Sequence, residues 1–373
     1  MAEVSPIGID ASRATRAVRT GTEGYSFFLI SALLRQVSPY RYRLYLDRSA
    51  PSDFPSSPRA ESRLIRCPRI WTHLGLGAEL RRAPPDLLYV PSHVIPIKCP
   101  VPAVATIHDV GYLWHRSAYT PLAWLLLHLG TLYNARAARL IIADSQATAT
   151  DLTTHLGVSP DRIRVAYLGA PRPREGPRPL EIRTRYRLPE RYFLFVGTLH
   201  PRKNLSRLLM AFARLAREQP GVDLVLVGAS GVGAEAFRRK VETLAIANRV
   251  HWLGYVPDRD LPGLFAGAVA FVFPSLYEGF GMPVLEAMAW ETPIVASNTS
   301  SLPEVVGDAG LLVSPYDVVA LAEAMRRLLD DPLTRETLVE RGRRRVSEFS
   351  WERCADAVER VFDEALDSRA GWH

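Results

Sequence analysis

Cysteine is scarce in this chain. Cys67, Cys99 and Cys354 are its only three in 373 residues. They have no metal-ligand spacing and cannot all pair, so a disulfide scaffold and a zinc module are excluded and a reducing compartment is expected. Long hydrophobic runs are missing too. The most apolar stretch, around Pro121–Tyr133, is too short to span a bilayer and contains His128. The first residues, Met1 to Pro6, have no basic segment followed by an apolar one, so no signal peptide is expected. Blocks of like charge are absent, and no Asp-x-Asp stands in a matching loop, since Asp330 and Asp331 are adjacent and precede a turn. No metal requirement is therefore expected. There is no tandem repeat at solenoid period.

What is present divides unevenly. Residues 1–180 carry 22 Lys and Arg against 13 Asp and Glu, a balance of +9. Residues 181–373 carry 24 against 26, a balance of −2. A basic front half suits an anionic membrane face, a phosphorylated acceptor or nucleic acid; scattered arginines of this kind also serve as ordinary solvated surface. At 373 residues and 47% hydrophobic composition the chain is long enough for two cores.

Both halves alternate short apolar runs with helical periodicity. In the front half, strands are expected at 6–10, 42–46, 86–90, 103–107, 139–144 and 162–166, with helices at 24–35, 121–137 and 146–156, the last capped by Ser145. The segment Gly169–Pro179 holds four prolines in eleven residues and reads as a linker. The pattern restarts with strands at 192–196, 222–227, 250–253, 268–275, 293–296 and 311–313 and helices at 205–218, 235–247 and 283–290. The predicted organisation is a domain over 1–170, a linker over 171–180, a second domain over 181–349 and a last helix from Ser350 that either packs in the core of the second domain or straps back onto the first. Alternating β and α elements predict two mostly parallel, doubly covered sheets. Two such units leave a cleft, and ligands bind beyond the carboxyl ends of their strands.

The most informative run is Glu278-Gly279-Phe280-Gly281-Met282-Pro283-Val284-Leu285-Glu286, which lies between a buried strand and a helix with proline in its first turn. Strand, glycine loop and helix together aim free backbone N–H groups and a positive dipole end at one spot, which suits a diphosphate. The two glutamates flank that spot and can accept hydrogen bonds from sugar hydroxyls. A second strand-to-helix turn, Gly197-Thr198-Leu199-His200-Pro201-Arg202-Lys203-Asn204, sets two cations where only an anion would balance them. Gly228 to Gly233 lacks dinucleotide-fingerprint spacing and reads as a tight turn lining the pocket. His93, His115, His128 and His251 are given no role.

With these residues in place, the chain resembles the retaining glycosyltransferases of the GT-B fold, the glycosyl transferase group 1 family, also known as family four. The resemblance rests on Gly197–Asn204, Gly254-Tyr255-Val256-Pro257, the Glu278–Glu286 pair and Ser300-Ser301-Leu302-Pro303-Glu304-Val305. It extends to the front half through Thr20-Gly21-Thr22-Glu23-Gly24-Tyr25, Thr106-Ile107-His108-Asp109 and Asp144-Ser145-Gln146. It implies two Rossmann-like domains and no cofactor beyond a nucleotide-diphosphate sugar. It implies that Glu286 holds the ribose, that Glu278 holds the donor sugar, and that Gly279, Phe280, Gly281 and Met282 hold the diphosphate together with Gly197, Arg202 and Lys203. Val256 would meet the base. His108 would lie across the cleft, near the transferred sugar and the acceptor. The glycine loop at Gly21–Gly24 would approach the phosphates; the family usually has adjacent glycines there, which puts the carry-over at Gly24 in doubt.

The form Gly-Thr-Leu-x-Pro-Arg-Lys-Asn resembles that of mannosyl- and rhamnosyltransferases of surface polysaccharides. It implies GDP-mannose as donor and a glycan or lipid-linked acceptor. From the cysteine usage and the basic front half, a cytoplasmic protein is expected that touches an anionic membrane peripherally through its N-terminal domain and binds no nucleic acid. Three alternatives remain: a UDP- or dTDP-sugar enzyme acting on a small soluble acceptor, a sugar-nucleotide epimerase or synthase, and a non-catalytic nucleotide-sugar or nucleic-acid binding module.

Overall fold

A computed structural model describes residues 6–367 apart from 18, 20, 68, 93, 117, 118 and 172–175. The opening residues 1–5, Thr20, His93 and the middle of the proline-rich segment lie outside the described residues. The chain divides into two units, one formed by residues 1–112, 119–169 and 349–373 and the other by 113–118 and 170–348.

Unit one runs β1 (Ile7–Asp10), α1 (Gly21–Arg35), β2 (Tyr42–Leu46), β3 (Ala60–Leu64), a π-helical turn (Thr72–Leu76) continuing as α2 (Gly77–Arg82), β4 (Leu87–Val90), β5 (Ala103–Ile107), α3 (Pro121–Ala137), β6 (Leu140–Ala143), α4 (Gln146–Leu156) and β7 (Ile163–Val165). Its seven strands pair in the order β3-β2-β1-β4-β5-β6-β7, all parallel. β1, β4, β5 and β6 are buried along their whole length, as expected of a sheet covered on both faces. β3 differs. Its sequence Ala-Glu-Ser-Arg-Leu is mostly exposed, so it has no apolar pattern and went unpredicted.

Unit two runs α5 (Pro179–Tyr186), β8 (Arg191–Val196), α6 (Leu205–Glu218), β9 (Val222–Val227), α7 (Ala234–Thr243), β10 (Val250–Trp252), α8 (Leu261–Ala266), β11 (Ala270–Phe273), α9 (Met282–Ala289), β12 (Ile294–Ser297), α10 (Leu302–Val306), β13 (Gly310–Val313), α11 (Val318–Asp330) and α12 (Pro332–Val346). Its six strands pair in the order β10-β9-β8-β11-β12-β13, again all parallel. The strand order reverses between β8 and β11, so the loops leaving those two strands flank a natural ligand crevice.

The final helix, α13 (Trp351–Asp367), belongs to unit one, where it lies against α1 and reaches β4, β5 and β6. The Ser350 hydroxyl caps it by accepting from Arg353 N at 3.1 Å. Trp351, Cys354, Ala355, Val358 and Phe362 form its buried stripe. Tyr40 and Tyr42 donate to Asp363 and Glu359 on the same helix.

Two local expectations are corrected. Gly21–Gly24 is the first turn of α1 and not a loop, because a helix tolerates glycine where its N–H groups are unpaired in any case. The proline-rich segment ends in a helix, since Pro179 occupies the first position of α5, where its missing N–H costs nothing.

Candidate active site

Backbone packing of glycines shapes the crevice of unit two. Gly197 leaves β8 at φ +154° and Gly228 leaves β9 at φ +141°. A Cβ on Gly228 would lie 2.1 Å from the Gly197 carbonyl oxygen, and one on Gly231 would lie 2.3 Å from that of Leu199. Only glycine allows the two loops to touch backbone to backbone. They are joined by Leu199 N donating to Ala229 O at 3.1 Å, and Gly228 N donates onward to Gly254 O at 2.8 Å. The Trp252 indole N–H donates to Gly228 O at 3.0 Å. Gly228–Gly233 is thus a brace between the β8 and β10 loops.

The cations Arg202 and Lys203 sit in a 3₁₀ turn, Pro201–Lys203, ahead of α6 and not in its first turn. Asn204 closes the turn in the left-handed conformation at φ +58°. Its side-chain amide donates to Pro274 O at 3.0 Å and to Pro315 O at 2.6 Å. Leu276 N donates to Arg202 O at 2.7 Å, so the β8 and β11 loops are bonded along their main chains. The side chains meet as well. Lys203 Nζ donates to Glu278 Oε1 at 2.6 Å with both residues buried, and it lies 4.7 Å from the Phe273 ring centre. His200 accepts from Arg202 N at Nδ1. Burial, together with Arg202, His115 and Lys203, holds the His200 pKa below its usual value.

The loop that follows Glu278 is buried through Gly281 and clamped by two serines. Glu278 N donates to Ser300 Oγ at 3.0 Å, and Ser301 Oγ lies 3.0 and 2.8 Å from the carbonyl oxygens of Glu278 and Phe280. Gly281 caps α9 at φ +103°, and a Cβ there would come within 2.7 Å of Leu302. No side chain caps this helix start, so no protein side chain offsets the positive end of its dipole. Glu286 lies one turn into α9. Burial, and then the like charge of Asp258, push its carboxyl up to about 7. Val256, on the loop after β10, is buried.

Ten of the twelve expected site residues therefore lie on three neighbouring loops and one helix start in unit two: Gly197, Arg202, Lys203, Val256, Glu278, Gly279, Phe280, Gly281, Met282 and Glu286. The other two, Gly24 and His108, lie in unit one. The ring of Tyr25, next to Gly24 in sequence, packs edge-on against His108 with centroids 4.7 Å apart. His108 Nδ1 is 2.7 Å from Asp144 Oδ2 and Nε2 is 2.9 Å from Pro91 O. A carbonyl and a carboxylate are both acceptors, so this pairing suits a doubly protonated ring. Burial opposes that charge, but the Asp144 carboxylate outweighs it and the His108 pKa is raised.

Sequence reasoning missed Asn204 as a brace, the serine pair at Ser300 and Ser301 as a clamp, and Asp258 as the partner charge of Glu286. Asn204 and the serines stood inside quoted motifs, but their partners are far away in sequence. Among the described residues no group of three or more His, Cys, Asp or Glu could hold a metal ion.

The family described as glycosyl transferases group 1 matches residues 181–345, and glycosyltransferase family 4 matches residues 38–174. The O-antigen chain mannosyltransferase B of Escherichia coli is 37% identical over 258 residues, covering 68% of this chain and 68% of its own length. The MMP alpha-(1->4)-mannosyltransferase of Mycolicibacterium hassiacum is 38% identical over 240 residues, covering 62% of this chain and 56% of its own length. The chain thus spans little more than half of that second relative. Among solved structures, a sucrose-phosphate synthase from Thermosynechococcus elongatus superposes with a TM-score of 0.75 at 23% identity, over 98% of this chain and 100% of its own, a likeness of fold.

Proposed function

Because the chain belongs to the group 1 glycosyltransferases, we propose that it moves mannose from GDP-mannose to a glycan or lipid-linked acceptor, with retention at the anomeric carbon and without a metal ion. The coarser statement stands on the family itself: this is a hexosyl-transferring enzyme that uses a nucleotide-sugar donor. The mannose reading draws on the two relatives named as mannosyltransferases. The observation that carries the donor site is the uncapped start of α9 held between Glu278 and Glu286 with Lys203 against it.

In this reading the diphosphate lies on the Gly279–Met282 turn, balanced by Arg202, Lys203 and the helix dipole. Glu278 and Glu286 accept from donor-sugar and ribose hydroxyls, and the Val256 main chain meets the base. As the bond from anomeric carbon to phosphate oxygen breaks, its electron pair goes to the diphosphate, where those positive groups stabilise it. The acceptor oxygen bonds to the anomeric carbon from the same face, and its proton passes to the departing phosphate oxygen. His108, charged and held by Asp144, acts as a fixed positive group beside the acceptor. The basic front half touches an anionic membrane from the cytoplasmic side.

The test is thermal denaturation with GDP-mannose, UDP-glucose and dTDP-rhamnose, followed by turnover with and without chelator and NMR assignment of the product anomer. At a hundred times its Kd a true donor stabilises by about 2.7 kcal/mol. No shift with GDP-mannose would sink the donor assignment. An inverted anomer would sink retention, and loss of turnover in chelator would sink metal independence.

A further inference from the structure

α3 is hydrophobic on nearly every side and yet hardly buried. Asn134 and Ala135 are its only buried residues. Leu122, Leu125, Leu126 and Leu129 are 66%, 44%, 61% and 52% exposed, and their spacing puts them on a single stripe. A helix with this composition normally lies inside a core. This one is fixed to unit one by its other side. The Trp124 indole donates to Tyr112 O at 3.1 Å, and Asn134 Oδ1 accepts from Ile95 N at 2.9 Å; Tyr133, which ends the leucine stripe, donates from its hydroxyl to Pro96 O at 3.1 Å. The leucine stripe is therefore held outward.

The apolar surface continues beyond the helix. Ile97, on the loop that anchors the end of α3, is exposed, and its N–H donates to His73 Nδ1 at 3.3 Å. Leu74, beside His73, is exposed as well. In unit two the exposed apolar side chains, such as Val232, Tyr316 and Leu333, are scattered, which is ordinary for a protein surface.

The charge around this surface is mostly positive. From Tyr119 to Leu140 there is no acidic residue, and Arg136 is exposed at the end of α3. Residues 65–102 carry five Lys and Arg against two acids. One of those acids, Glu79, is buried and paired with Arg82. Lys98 is exposed next to Ile97, and Arg69 next to the exposed Ile70. Among the described residues no helix is long and apolar enough to cross a membrane. At 17 residues α3 is about 25 Å long, suited to lying in a bilayer interface and too short to span one.

We propose that the outward leucine stripe of α3, with Ile97 and Leu74 and the cations Lys98, Arg69 and Arg136 around it, docks unit one on an anionic lipid surface. The inference rests on the membrane contact proposed above and names the surface that makes it; the donor site plays no part in it. Leucines enter the acyl boundary while the flanking cations stay with anionic headgroups.

The experiment is co-sedimentation of the full chain with vesicles of phosphatidylglycerol and phosphatidylcholine and with phosphatidylcholine alone, over a range of salt. The expected result is binding at least about tenfold tighter to the anionic vesicles and weakened by salt. Leu126→Glu with Leu129→Glu should lower that affinity on the order of tenfold or more. Lys98→Glu with Arg136→Glu, both on exposed positions, should abolish the preference for anionic lipid. A wild-type chain that ignores the vesicles overturns the proposal, as does one whose binding survives the leucine substitutions. So does a chain that pairs through α3 into a dimer in ultracentrifugation and leaves lipid alone. The nucleotide-sugar melting shift is read on the same variants. Lost vesicle binding with an intact shift bears on α3 alone, and a lost shift with intact vesicle binding bears on the donor site alone.

Discussion

Glu286 is held where its charge is costly, and that makes it readable by pH. Its carboxyl is raised from 4.5 to about 7 in the folded protein. Between those values the native state keeps a proton that the unfolded chain has released. The stability this group contributes is therefore complete below 4.5 and is lost as pH rises through about 7. Donor binding should run the other way, because ribose hydroxyls donate best to the ionised form. The expected outcome is tighter nucleotide-sugar binding as pH climbs from 6 to 8, by up to about tenfold per unit below the pKa. Glu286→Gln should flatten both profiles. Calorimetric titration at several pH values checks it; a wild-type profile with no slope removes the carboxylate from the site. His108 contrasts with it. The protein occupies both its ring nitrogens, so this histidine is built to hold one protonation state.

At the scale of elements, the loops after β8 and β11 behave as one piece. Main-chain bonding at Leu276–Arg202, the Asn204 amide and the Lys203–Glu278 pair all cross between them. A buried ion pair adds little over an apolar replacement, but removing one partner strands the other charge. Glu278→Ala should therefore destabilise the protein by about 3–5 kcal/mol, while Lys203→Met combined with Glu278→Gln should recover most of that loss. Chemical denaturation of the two singles and the double checks this. Additive losses would mean that the pair is not coupled. Much of the site was legible at this scale, because Glu278–Glu286 is contiguous and its strand, glycine turn and helix each have a local signature. The clamp at Ser301 and the bridge from Asn204 to Pro315 were not legible. They depend on which distant carbonyls the fold brings within reach, and serine and asparagine look alike in a cap, a turn or a brace.

Across the whole molecule, the chain returns after unit two to complete unit one. α13 supplies Trp351, Val358 and Phe362 to that core, and Trp351 stacks on Phe28 with centroids 5.5 Å apart. Its backbone also presses on the end of the first unit, where a Cβ on Gly169 would lie 2.3 Å from Trp351 N. Trp351→Ala should cost about 3–5 kcal/mol, and Gly169→Ala should also destabilise, because main chain cannot yield as a side chain can. Hydrogen exchange should localise both losses to strands β4, β5 and β6 rather than to β8–β13. Uniform loss across both sheets would refute that division.

Local chemistry alone determined the two parallel α/β halves, the proline-rich break, the paired glutamates around a helix start and the two adjoining cations, because periodicity, turn residues and caps act over a few neighbouring positions. Tertiary structure decided what depends on distant partners. Lys203 meets Glu278 across seventy-five positions, burial raises the carboxyl of Glu286, an exposed polar segment becomes β3, and the leucines of α3 face outward. The helical pattern of 121–137 reads the same for a core helix or a surface one, because burial is set by what packs against an element and not by the element itself.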